Sequence, residues 1–169
     1  MKLSKRSIYI LVVIVTTIAI DQITKVLTRK YIDPSETIPV IGEYFSLHNV
    51  ENTGAFLGMG SDLNPTMKLI FLLILPVVVL GLVLRHILKD TSMDKWSLFA
   101  FSSIIGGGIA NVFDRFAYGS VTDFFYIKIT DVLRTGIFNM ADLSVTTGMI
   151  ILVVMSFRNK KKPEIEKPV

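Results

Sequence analysis

Residues 67–84 read MKLIFLLILPVVVLGLVL, and Lys68, next to the start, is the only charge in that stretch. About 18 apolar residues in a helix cross the roughly 30 Å of hydrocarbon in a bilayer. Pro76 lies inside the run, but a membrane helix accepts a proline with a kink. Three further runs have the same character, at about 7–27, 96–113 and 137–157. The first could be a signal peptide, since Lys2, Lys5 and Arg6 precede it. Against that, no small-x-small cleavage site follows, and Asp21, Gln22 and Lys25 stand where cleavage would fall. The sequence therefore predicts an all-α membrane protein of four transmembrane helices.

The rest of the composition agrees. Half of the 169 residues are hydrophobic (51%). The length suits one membrane-embedded domain over 1–159, followed by a charged cytoplasmic tail, disordered by composition, over 160–169. There is no cysteine, which removes disulfides, a thiol nucleophile and thiolate metal sites. His48 and His86 are far apart and no His-Glu-x-x-His pair occurs, so no metal and no cofactor is expected. The net charge of +4 sits in loops, without a basic stripe interleaved with aromatics, and no nucleic-acid partner is expected.

Loop charges orient the spans. Lys2, Lys5 and Arg6 precede the first, Arg85, Lys89 and Lys95 separate the second and third, and Arg158, Lys160, Lys161 and Lys162 follow the fourth. By the positive-inside rule both termini are cytoplasmic, and segments 28–66 and 114–136 face outward. Arg29 and Lys30 run against the rule but are outnumbered. Thr37–Val40, Tyr44–Val50 and Val121–Ile129 are short β-branched and aromatic runs bounded by turn residues. They predict a small extracytoplasmic β-cradle on the outer membrane surface.

Polar residues beside the spans carry the chemistry, because an acid or a base at mid-membrane costs on the order of 3 kcal/mol on insertion scales. Asp21 and Lys25, at i,i+4, suit a structural ion pair. Asn52 and Gly54 form an Asn-x-Gly turn, a weak signal alone. Gly107, Asn111, Asp114 and Arg115 crowd the outer end of the third run. The glycines there suit close helix packing. Arg115 could either hold Asp114 or offer donors to a peptide carbonyl. Asp123 lies in a β-like return segment, and Asn139, Ala141 and Asp142 open the fourth run. Singly, each is as easily a loop or helix-end residue. Together, Asp123 and Asp142 are two acids near one membrane face. An aspartic peptidase needs such a pair, one ionised to activate water and one protonated to polarise the carbonyl. From residues alone the reading is an outward-facing intramembrane site with two acids.

The ordered set Asp21-x-x-x-Lys25, Asn52-x-Gly54-Ala55, Gly107-x-x-x-Asn111-x-x-Asp114-Arg115, Val121-x-Asp123-Phe124 and Phe138-Asn139-x-Ala141-Asp142 resembles the lipoprotein signal peptidases, or signal peptidase II, over nearly the whole chain. That resemblance implies an aspartic endopeptidase with Asp123 and Asp142 as its catalytic pair. It implies Asn52, Gly54, Gly107, Asn111, Asp114, Arg115, Asn139 and Ala141 as substrate-binding or supporting residues. The implied substrate is a diacylglyceryl-modified prolipoprotein cut just before the lipidated cysteine. Membrane lipid as a partner, inhibition by globomycin-type cyclic peptides, a monomeric state and a bacterial inner-membrane location are implied with it. Many members of that family have glycine where this chain has Ala110, and some have alanine where it has Phe56. Three other readings fit less well. A transporter or channel would need polar residues running through to the cytoplasmic side. A scaffold leaves Asp123, Asn139 and Asp142 without a role. A serine peptidase at Ser120 or Ser144 would need a nucleophile elbow and a nearby histidine.

Overall fold

The computed structural model describes residues 4–159. The expected tail over 160–169 lies outside the described residues. Four helices are long and apolar enough to cross a membrane: Lys5–Tyr31, Pro65–Lys89, Lys95–Tyr118 and Met140–Asn159, called here the first to fourth spans.

Capping residues set several ends. Ser4 opens the first span, its hydroxyl accepting from the Ser7 N–H. Asp94 opens the third, its carboxylate accepting from the Trp96 and Ser97 N–H groups. Each satisfies donors that an α-helix leaves orphaned at its start. The fourth span begins at Met140, three residues later than the sequence suggested, because Phe138 is engaged in a bridge with Phe125 of the sheet. The second span answers Pro76 with more than a kink. Residues Leu69–Ile74 form a π-helical segment, in which the Leu75 N–H donates to Ile70 O, five residues back. A proline at position 76 supplies no N–H and crowds the preceding turn, and the ladder slips register just ahead of it.

The three-stranded antiparallel sheet has the order β1 (Ile38–Ile41), β2 (Phe45–Asn52), β3 (Val121–Ile127). Register shifts fall between Pro39 and Ile41 and between Leu47 and Val50. At the second of these, buried Asn49 donates to Ile32 O and ties the sheet to the end of the first span. Beyond the shift Val50 stands opposite Asp123, and Asn52 opposite Val121.

The spans are apolar on the outside and change character inside along their length. Ile10, Ile14, Ile87, Leu98 and Ile105 form an apolar core toward the end away from the sheet. There Arg6 donates to the Ile87 and Asp90 carbonyls, closing the end of the second span. Toward the sheet the buried interior becomes polar, holding Asp21, Lys25, Asp114, Thr122, Asp123 and Asn139. The third span is the most buried and the second the least, so the third carries the contacts that align the others. At Gly107 an added Cβ would lie 2.6 Å from Ala141 O, which is how the fourth span comes so close to the third.

Candidate active site

Asp123 is supplied by β3 and Asp142 by the first turn of the fourth span. Asn139, just before that span, joins them. Its Nδ2 donates to Asp123 Oδ1 at 2.6 Å. Its Oδ1 accepts from the Asp142 N–H at 2.9 Å, and its own N–H donates to Asp142 Oδ2 at 3.3 Å. The exchange with Asp142 is a reciprocal helix cap, in which the cap residue and the third helical residue satisfy each other's backbone donors. One fully buried asparagine therefore starts the helix and fixes both acids.

Each carboxylate has a second amide. Asn52 Nδ2 donates to Asp123 Oδ2 at 2.9 Å, while its Oδ1 accepts from the Gly54 N–H at 2.9 Å. Gly54 is required for this turn, since a Cβ there would lie 2.6 Å from the Gly58 and Met59 carbonyls. Asn111 Nδ2 donates to Asp142 Oδ1 at 2.9 Å, and its Oδ1 accepts from Lys25 Nζ at 2.8 Å. Among the described residues neither acid has a cation within ion-pair distance. Burial pushes the Asp123 carboxyl up to about 6. The Asn52 hydrogen bond opposes the rise and the nearby Asp142 charge adds to it.

Behind the acids lies a buried charge cluster larger than the expected Asp21–Lys25 pair. Lys25 Nζ is 2.7 Å from Asp21 Oδ2 and 2.8 Å from Asp114 Oδ2, with all three side chains fully buried. Asp21 Oδ1 also accepts from the Ala141 N–H at 2.8 Å, so the first span holds the first turn of the fourth. Gln22 donates to Asp114 Oδ1 at 2.9 Å, and Arg29 approaches Asp114 at 3.4 Å. Of the two roles open to Arg115, the pairing with Asp114 is not seen. Its NH2 group donates to Gly54 O at 2.7 Å and its NH1 group to Asn111 O at 3.3 Å, so it braces the Asn52–Gly54 turn.

All twelve singled-out residues thus fall in one connected region. Arg29, Gln22, Glu51, Ser120 and Thr122 belong to it as well and were not foreseen. Arg29 donates to Thr122 Oγ1 at 2.7 Å and stacks 4.2 Å over the Tyr118 ring, and Glu51 accepts from both Ser120 and Thr122. One signal was present: Gln22 and Arg29 share the end of the first span with Asp21 and Lys25. These partners give a physical reason for Arg29 to stand at this end of the first span.

Three cavities reach the acids. One of about 340 Å³ includes Asp123, Asn52, Thr53 and Ser61. Two more adjoin Asp142, of about 420 Å³ and 300 Å³, and Phe56 lines both. The larger is walled by Phe71, Pro76, Val145 and Met149, as a site for an apolar chain would be. Among the described residues no group of three or more His, Cys, Asp or Glu is arranged to hold a metal ion.

Residues 13–158 match the family model described as signal peptidase (SPase) II. The lipoprotein signal peptidase of Borrelia hermsii is 34% identical over 148 residues, covering 85% of this chain and 86% of the relative. That of Brevibacillus brevis is 36% identical over 145 residues, covering 86% and 92%. That of Thermodesulfovibrio yellowstonii is 35% identical over 162 residues, covering 96% and 99%. A solved bacterial membrane enzyme superposes with a TM-score of 0.81 at 26% identity, covering 95% of this chain and 94% of the other.

Proposed function

Because the chain belongs to the signal peptidase II family, a bacterial multi-pass membrane peptidase group that removes signal peptides from prolipoproteins, we propose that it does so as an aspartic endopeptidase with Asp123 and Asp142 as its dyad. The observation that carries this reading is Asn139, whose side chain holds Asp123 while its backbone and carbonyl hold Asp142. Buried Asp123 and half-buried Asp142, gathered on one asparagine with no cation at ion-pair distance, cannot both ionise easily and share a proton.

The chemistry follows from that shared proton. The ionised carboxylate takes a proton from water as the water oxygen attacks the carbonyl carbon before the lipidated cysteine. The protonated acid gives its proton to the carbonyl oxygen, forming a gem-diol. The carbon–nitrogen bond then breaks as the acid that took the water proton passes it to the departing cysteine amine, and the other carboxylate takes a proton back from a gem-diol hydroxyl, which restores the dyad. Asn52 and Asn111 hold the oxygen of each acid that Asn139 does not, and Arg115 holds the Asn52–Gly54 turn. Gly107 and Ala141 let the third and fourth spans approach. The Asp21–Lys25–Asp114 cluster orients Asn111 and the Ala141 N–H. The apolar cavity beside Asp142 suits the signal-peptide chain or the diacylglyceryl group. Both termini are cytoplasmic on this reading and the acids lie near the outer face, where a tethered precursor presents its cleavage site. A monomer sensitive to globomycin-type cyclic peptides completes it.

The test is turnover per folded molecule on a diacylglyceryl-modified precursor peptide. Asp123→Asn and Asp142→Asn should each lower it by at least about 10²–10⁴-fold, and the double variant should be little worse, since the two act as one unit. Near wild-type turnover in either single variant removes that residue from the dyad.

A further inference from the structure

The π-helical half of the second span leaves a recess against the third span that neither Asp123 nor Asp142 lines. Its volume is about 250 Å³. Lys68 and Arg115 contribute two cations to its wall, Thr53 a hydroxyl, and Leu69, Leu72 and Leu73 an apolar side. Among the described residues the Lys68 side chain makes no hydrogen bond or ion pair. Arg115 spends two of its nitrogens on backbone carbonyls, has no carboxylate at ion-pair distance, and keeps a buried Nε with no partner.

Two cations with no carboxylate at ion-pair distance, at the ends of membrane spans, suit an anion supplied by the membrane itself. Charges at this depth are tolerated when paired. Basic pockets between transmembrane helices bind anionic lipid headgroups, and a guanidinium offers phosphate a fork of donors. The leucines continue the recess in apolar form, as the glycerol-proximal carbons of an acyl chain require. The lipid implied for the substrate is a thioether-linked diacylglycerol and has no phosphate, so this is not a second subsite for it.

We propose that the recess between the second and third spans binds the phosphate group of an anionic membrane phospholipid through Lys68 and Arg115. The bound lipid braces Arg115, whose other nitrogens hold Gly54 O and with it the turn that positions Asn52 against Asp123. The site is defined by charge and shape and does not depend on the peptidase reading.

The test uses the full chain in nanodiscs of phosphatidylcholine containing a minor share of phosphatidylglycerol. The chain is transferred to mild detergent and the retained lipid is weighed by native mass spectrometry. Wild type should keep one phosphatidylglycerol in preference to phosphatidylcholine. Lys68→Ala should weaken retention about fivefold, the effect of one cation near an anionic lipid. Lys68→Glu should remove it. Leu73→Trp, which fills the recess and leaves both cations, should also remove it, so the proposal stays testable if the charge reversal folds poorly. Inorganic phosphate at millimolar levels should not displace the lipid. Equal retention of phosphatidylcholine, or wild-type retention in Lys68→Glu or Leu73→Trp, would overturn the proposal. Displacement by inorganic phosphate would do the same by assigning a soluble-anion site. Retention is read without cleavage, so a failed dyad test leaves this result standing.

Discussion

Lys25→Met is the perturbation that most directly probes how the site is held. The substitution keeps the length and apolar stem of the side chain and removes only the ammonium. That ammonium lies 2.7 Å from Asp21 and 2.8 Å from Asp114, and all three side chains are fully buried. Removing one partner of a buried ion pair typically costs about 3–5 kcal/mol, because the remaining charge is left uncompensated out of water. Here two carboxylates are left, and the remaining help for Asp114 is Arg29 at 3.4 Å and the Gln22 amide at 2.9 Å. The expected loss is therefore toward the upper part of that range. At about 2–4 °C per kcal/mol for a chain of this size, the unfolding midpoint should fall by roughly 10–20 °C. Trp96 fluorescence during heating in detergent reads it. The compensating change is Asp21→Asn, which removes one stranded charge and keeps an oxygen for the Ala141 N–H. The double variant should recover more than half of the lost stability. Turnover should stay low in both, because Asn111 Oδ1 has lost the ammonium that orients its amide toward Asp142. A midpoint within about 2 °C of wild type in Lys25→Met, or no recovery on adding Asp21→Asn, would refute the account of a charge-balanced cluster.

Four further outcomes follow from the same geometry. Asp123 has its folded-state carboxyl pushed up to about 6 from an ordinary value of 3.8, so the folded protein binds this proton more tightly than the unfolded chain. That stabilisation is present in full below pH 3.8 and is lost as pH rises through about 6, a change of roughly 3 kcal/mol. The midpoint of wild type relative to Asp123→Asn should drop across that window, and an unchanged difference from pH 4 to pH 7 would contradict the burial of a titrating acid. Gly107→Ala drives a methyl group to within 2.6 Å of Ala141 O, and should cost about 1–3 kcal/mol and lower turnover by moving the fourth span. Asn139→Ala removes a helix cap worth about 1 kcal/mol and the link between the acids, so turnover should fall steeply while remaining measurable. Since the chain has no cysteine of its own, Ser35→Cys should be labelled by a membrane-impermeant thiol reagent from outside the cell, and labelling only after permeabilisation would reverse the proposed topology.

The spans were legible in the sequence because bilayer thickness imposes a length that few soluble segments reach, and the runs around 7–27, 67–84, 96–113 and 137–157 meet it. The strands were legible from β-branched runs between turn residues, to within a residue or two at most of their ends. The acids stood out because charge beside a span is costly, which makes each one informative. What each polar group touches was decided only in three dimensions. Lys25 meets Asp114, 89 positions away, as closely as it meets its neighbour Asp21 one turn back. Asp114 turns to Lys25 and Arg29, and the adjacent Arg115 turns to Gly54 O. These choices depend on the rotation of each helix about its axis and on the β2–β3 register. Both are set by contacts between distant segments, such as Gly107 against Ala141 and Val50 opposite Asp123. Hydrophobic length along a chain carries no information about rotation, so the sequence by itself determined which residues lie at the sheet-bearing end of the membrane, and packing decided that Asn139 would hold two of them together.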